Sequence, residues 1–72
     1  MEKHFIGSGL RRLREERGLS KRALSRSAGL TLRAVTLLEA DAREPSASTL
    51  LALARALGVS VSAFFPEEDR GG

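Results

Sequence analysis

The sequence predicts an all-α domain, and three observations predict it. Apolar residues recur at three- and four-residue spacings along most of the chain, and no stretch alternates as a half-buried strand would. Glycines stand just after the apolar stripes, at Gly18, Gly29 and Gly58, where the left-handed conformation ends a helix. Hydroxyl residues stand just before them, at Ser20, Thr31 and Ser46, where a side-chain oxygen caps the first free amides. A length of 72 residues allows one domain, and no internal repeat is visible.

Residues 1–5 read as a short N-terminal arm carrying a lone surface histidine, His4. A first helix is expected from about Gly7 to Arg17, with Ile6, Leu10 and Leu13 on one face and charged residues around the rest. Leu19 then returns the chain to the core. Ser20 opens a second helix over Lys21 to Ala28, whose main apolar contact is Leu24. Gly29 breaks it and Leu30 plugs the turn. Thr31 opens a third helix, about Leu32 to Ala40, with Val35 and Leu38 inward and Leu32, Arg33, Thr36 and Leu37 outward. Asp41 to Pro45 form a loop, because Pro45 forbids helix continuation. The longest helix follows, about Ala47 to Leu57, striped by Leu50, Leu53, Ala54 and Leu57. Ser60 caps a short fifth helix near Val61 to Phe65, stopped by Pro66. The folded body is thus 6–65, and 66–72, with nothing to bury, read as a disordered tail.

Composition narrows the function. Hydrophobic residues make up 42% and charged residues 29% of the chain, the balance of a globular domain rather than a disordered one. With no cysteine and one histidine there is no disulfide framework and no metal cluster to build, so neither metal nor cofactor is expected. The apolar runs are too short to span a bilayer and the N-terminus lacks a signal pattern, so a cytoplasmic protein is expected. Nothing suggests an enzyme. No nucleophile is paired with a base, Glu15 and Glu16 point in different directions around a helix, and no glycine-rich loop follows a strand. Gly71-Gly72 reads as a frayed end.

Charge is distributed unevenly. The net charge is +3, but through residue 43 there are ten Lys/Arg against five Asp/Glu, and beyond it two against four. The basic half holds the unit from Leu19 to Glu39, two short helices joined at Gly29. Leu24, Ala28, Val35 and Leu38 give it an apolar face, and Lys21, Arg22, Arg26 and Arg33 a positive one. Such a unit can present its second helix to the major groove of DNA. The bland alternative is a solvated surface rich in arginine.

The order and spacing of these residues carry a resemblance. Ile6-Gly7 with Leu10, Leu13 and Arg14, then Gly18-Leu19-Ser20, Leu24, Ala28-Gly29-Leu30, Val35 and Leu38-Glu39, resemble the phage-repressor-like helix-turn-helix family, the Cro and lambda-repressor group of bacterial transcription regulators. Pro45-Ser46, Leu50, Leu53-Ala54 and Leu57-Gly58-Val59-Ser60 extend the resemblance to nearly the whole chain. It implies a compact five-helix domain that binds operators in double-stranded DNA as a homodimer, usually as a repressor. Base contacts would come from Thr31, Leu32, Arg33, Thr36 and Leu37 of the third helix, with Arg33 suited to guanine. Phosphate contacts would come from Lys21, with Arg22, Arg26 and Arg43 as further candidates. Arg14 and Glu39 would form a structural salt bridge between the first and third helices.

The sequence departs from the family pattern in three ways. Leu32 and Leu37 stand where polar side chains are common, Asp41 replaces a glycine of the loop, and Ser25 replaces an alanine; Glu44 adds a charge that phosphate repels. Two outward leucines on one helix also suit a protein partner, and some family members are antitoxins or are held by a partner protein. A partner-binding module on the same fold is therefore the competing function. For the homodimer, the apolar C-terminal end is the available surface: Phe64 is expected in the core, leaving Val59, Val61 and Phe65 for the interface.

Overall fold

The computed structural model describes residues 5–65; the expected tail 66–72, residues 1–4 of the arm and His4 lie outside the described residues. Four α-helices follow one another: α1 (Gly7–Glu16), α2 (Lys21–Ala28), α3 (Leu32–Glu39) and α4 (Ala47–Leu57). There is no strand among the described residues. The expected fifth helix is a 3₁₀ turn at Val61–Phe64. The amides of Ala63 and Phe65 bond three residues back instead, to Ser60 and Ser62.

Three helices start as expected. Ser20 Oγ accepts from Ala23 N at 2.9 Å, Thr31 Oγ1 from Ala34 N at 3.0 Å and Ser46 Oγ from Thr49 N at 3.1 Å. Each satisfies an amide with no partner inside its helix, a contribution of about 1 kcal/mol. Helix α1 differs. Ile6 supplies no side-chain cap, and the amide of Gly7 is instead bound across the fold by Asp41 Oδ1 at 2.7 Å.

All four helices stop by the same device. The residue past the helix takes positive φ, and the next amide turns back to a carbonyl five residues earlier. Gly18, Gly29 and Gly58 do this at φ 68, 70 and 70, with Leu19, Leu30 and Val59 bonding to Arg14, Ser25 and Ala54. These three following side chains then pack on the core. At the end of α3 the left-handed residue is Asp41, φ 59, and Ala42 N closes onto Leu37 O at 2.9 Å.

The core is built from Leu10 of α1, Leu24 of α2, Val35 and Leu38 of α3, Leu53, Ala54 and Leu57 of α4, and Phe64. Helix α2 lies between α3 and α4, α1 packs on α3, and the 3₁₀ turn packs on α1 and α4. Two assignments at the N-terminus exchange roles. Ile6, expected on the inner face of α1, is 37% exposed, because the helix begins after it. Phe5, expected in the arm, packs on the core with its ring 6.0 Å from Phe64 and 6.4 Å from Phe65.

Candidate nucleic-acid interface

The turn between α2 and α3 sets the geometry of the basic face. Gly29 reverses the chain, Leu30 is half-buried against the core, and Thr31 starts α3 at once. Ser25 faces the interior at 4% exposure, and its hydroxyl donates to the carbonyl of Arg22 at 2.8 Å. Bonded within its own helix, serine stands in for alanine without leaving a buried polar atom unpaired.

Two charged residues lock α3 to α1. Arg14 Nε and Nη2 donate to Glu39 Oε2 and Oε1 at 2.6 and 3.1 Å, and Arg14 Nη1 donates to the carbonyl of Leu19 at 2.8 Å. The side chains are 9% and 5% exposed. The Glu39 hydrogen bond, with the nearby carboxylate charge, raises the guanidinium above its ordinary pKa, against the opposing effect of burial. The planar fork satisfies both carboxylate oxygens and a carbonyl of the connection between α1 and α2 at once.

Outside this lock the third helix presents Thr31, Leu32, Arg33 and Thr36, all exposed. Leu37 is half-buried rather than outward, since it flanks the buried stripe of Ala34 and Leu38. The expected pair of outward leucines is thus reduced to Leu32, 37% exposed. Lys21 is half-buried and shares a cleft of about 260 Å³ with Thr36, Arg11 and the Arg14–Glu39 pair. Arg22 and Arg26 are exposed on α2, and Arg43 is exposed in the loop after α3, where it lines a second cleft with Glu44.

Most of the cations fall into two sets; Arg17, which donates to the carbonyl of Leu57, and Arg55 on α4 stand outside both. On α1, Arg11 pairs with Glu15, Arg12 with Glu16 and Arg14 with Glu39. On the two-helix unit and its loop, none of Lys21, Arg22, Arg26, Arg33 or Arg43 has a carboxylate partner among the described residues. Cations without a carboxylate partner, concentrated on α2, α3 and the loop that follows, produce a field suited to an anionic partner. Arg26 also lies in the last turn of α2, where a positive charge complements the helix dipole whatever else it meets.

Val59, Val61 and Phe65, the expected dimer residues, are half-buried and packed on the core. Leu51 on α4, which sequence reasoning passed over, is 52% exposed. It follows the striped Leu50 directly, and helical periodicity turns it away from Leu53 and Leu57. Among the described residues no group of three His, Cys, Asp or Glu is gathered for a metal, and no helix is long and apolar enough to cross a membrane.

Comparison with known proteins gives concordant matches. The helix-turn-helix family matches residues 10–64. The HTH-type transcriptional regulator PuuR of Escherichia coli is 38% identical over 64 residues, covering 89% of this chain and 35% of the regulator. The chain therefore spans about a third of the length of that relative. The restriction-modification controller protein C.AhdI of Aeromonas hydrophila superposes with a TM-score of 0.80 at 36% identity, covering 82% of this chain and 89% of the controller. The P22 c2 repressor in complex with synthetic operator 9T superposes with a TM-score of 0.79 at 28% identity, covering 85% of this chain and 92% of the repressor.

Proposed function

The chain belongs to the helix-turn-helix family, and on that premise we propose that residues 6–65 are a DNA-binding domain of a transcriptional regulator, acting as a repressor on a palindromic operator. The observation that carries this reading is the set of cations on α2 and α3 without a carboxylate partner among the described residues, together with the exposed Thr31, Leu32, Arg33 and Thr36. In this reading α3 lies in the major groove and its N-terminal half meets base edges. Arg33 reads a guanine through its two acceptors, and Leu32 packs on a thymine methyl. Thr36 and the exposed edge of Leu37 complete the contact. Lys21, Arg22, Arg26 and Arg43 bind phosphate and supply most of the affinity without sequence preference. The half-buried seat of Lys21 beside Thr36 supports a cation held close to the reading helix.

One α3 reads only a few base pairs, so the functional unit is a homodimer with half-sites about 34 Å apart. Val59, Val61 and Phe65 form its interface, through the part of each side chain left uncovered by the core. A partner protein on the outward leucines is the competing reading, and the half-burial of Leu37 weakens it.

The test is a binding measurement on the protein's own upstream DNA, in wild type and three variants. Arg33→Ala should cost about 1–3 kcal/mol and relax discrimination at one base pair, whereas Lys21→Ala should weaken all sequences about equally. If Arg33→Ala and Leu37→Gln both leave affinity and preference untouched, α3 is not the reader. Loss of a protein partner in Leu37→Gln with DNA binding intact would select the competing reading.

A further inference from the structure

Asp41 is the exception among the four helix-ending residues. Gly18, Gly29 and Gly58 adopt positive φ freely, but an aspartate at φ 59 is strained. Its side chain does something that glycine cannot. Oδ1 accepts a hydrogen bond from Gly7 N at 2.7 Å, across 34 residues. Helix α1 needs that acceptor, because Ile6 gives no side-chain cap and the first turn carries no acidic residue. The two helices also meet without a gap here. A Cβ on Gly7 would overlap the carbonyl oxygen of Leu38 and lie 2.5 Å from that of Glu39. The amide end of α1 therefore abuts the carbonyl end of α3, with the carboxylate of Asp41 bonded into the junction. The Arg14–Glu39 pair, two turns further along α1, provides the second attachment of the same end of α3.

We propose that Asp41 is a positioning residue for DNA recognition, clamping the last turn of α3 to the start of α1 and so fixing the angle at which α3 enters the groove. This rests on the reading of α3 as the base-reading helix. With both attachments in place, the end of α3 cannot pivot about the Arg14–Glu39 pair. With the clamp gone, cations on flexible stems still reach phosphate, but the base-reading side chains no longer hold one geometry. The loss then falls on discrimination rather than on total affinity. The negative charge at position 41, which would otherwise oppose phosphate, is engaged by the amide end of α1.

Two variants separate the possibilities. Asp41→Gly accepts the left-handed backbone but has no acceptor; Asp41→Asn tolerates that backbone and keeps an acceptor oxygen. The measurements are dissociation constants, at one salt concentration, for an operator obtained by selection from random duplexes and for an unrelated duplex. The Gly7 amide is followed by NMR hydrogen exchange without DNA. In Asp41→Gly, the Gly7 amide should lose protection and the operator preference should fall about tenfold, the scale of one charge-assisted bond. Affinity for the unrelated duplex should hold or rise. Asp41→Asn should restore both protection and preference. An unchanged preference in Asp41→Gly overturns the proposal, whether both affinities rise together, as for a merely repelling charge, or fall together, as for a smaller folded fraction. Wild-type protein without any operator preference would overturn the recognition reading and this inference with it; an intact wild-type preference that survives Asp41→Gly overturns the inference alone.

Discussion

Replacing Arg14 by methionine tests what holds α3 in place. The change keeps an unbranched apolar stem but removes three hydrogen bonds, two to Glu39 and one to the carbonyl of Leu19. The carboxylate of Glu39, 5% exposed, is then left without its partner. An uncompensated buried charge costs about 3–5 kcal/mol. At roughly 0.05–0.15 kcal/mol per residue, a domain of this size is stable by only about 4–11 kcal/mol in all. Arg14→Met should therefore lower the melting temperature by on the order of 12–40 °C, at about 4–8 °C per kcal/mol. Urea unfolding followed by far-UV circular dichroism measures the loss directly. The double variant Arg14→Met/Glu39→Met removes both charges and should recover most of the stability, because neither ion then has to be desolvated. The raised pKa of Arg14 adds no pH dependence in the working range: its contribution is complete below the ordinary arginine value and is lost only as pH climbs beyond the raised one. A loss below about 1 kcal/mol in the single variant, the value of an exposed pair, would refute the buried lock. So would a double variant as damaged as the sum of the two single ones.

Other outcomes follow from the same structure. Gly7→Ala should destabilise the domain by about 1–3 kcal/mol or more through overlap with Leu38 and Glu39, whereas Gly9→Ala, with nothing within 4 Å of the added carbon, should stabilise it by about 0.5–1 kcal/mol; paired thermal melts compare them. Thr31→Ala and Ser46→Ala should each cost about 1 kcal/mol in the same assay, through loss of a cap. If the dimer neutralises roughly six phosphates, the log–log slope of DNA affinity against salt should be about −5, and a slope near zero would dismiss the electrostatic reading. Val61→Glu should raise the dimer dissociation constant in sedimentation without unfolding the half-buried site, and unchanged sedimentation would remove Val61 from the interface.

What was legible in the sequence is what depends on neighbours. Ser20, Thr31 and Ser46 cap because the amide they bind lies three residues on, and Gly18, Gly29 and Gly58 end helices through bonds within six residues. Periodicity likewise assigns Leu10, Leu24, Val35 and Leu53 to the core. The Arg14–Glu39 contact, 25 residues apart, came into view only through resemblance to a family, since no local rule pairs those positions. What depends on distant approach was not legible. Phe5 reads as part of an arm until Phe64 and Phe65 are brought beside it. Arg17 reads as surface charge until the fold brings its Nε to the carbonyl of Leu57, where it ties the ends of α1 and α4 together. Leu37 shows the finer limit: a helical repeat gives its angle but not how wide the neighbouring elements make the buried stripe.

Asp41 shows why the remaining error falls at the end of the proposed recognition helix. Read along the chain, an acidic residue where the resembled family usually has a glycine is a charge that would face phosphate, and it argues against the proposed DNA binding. Its backbone conformation and its partner are both set by the fold. The end of α3 demands positive φ, which aspartate tolerates better than most residues, and the junction with α1 offers an amide that lacks a cap. A short carboxylate in that conformation reaches the amide at 2.7 Å, and the apparent repulsion becomes an attachment. Charge counted along a sequence gives the sign of a field at long range; at contact distance, the hydrogen-bond partner decides whether that charge opposes a ligand or orients the helix that meets it.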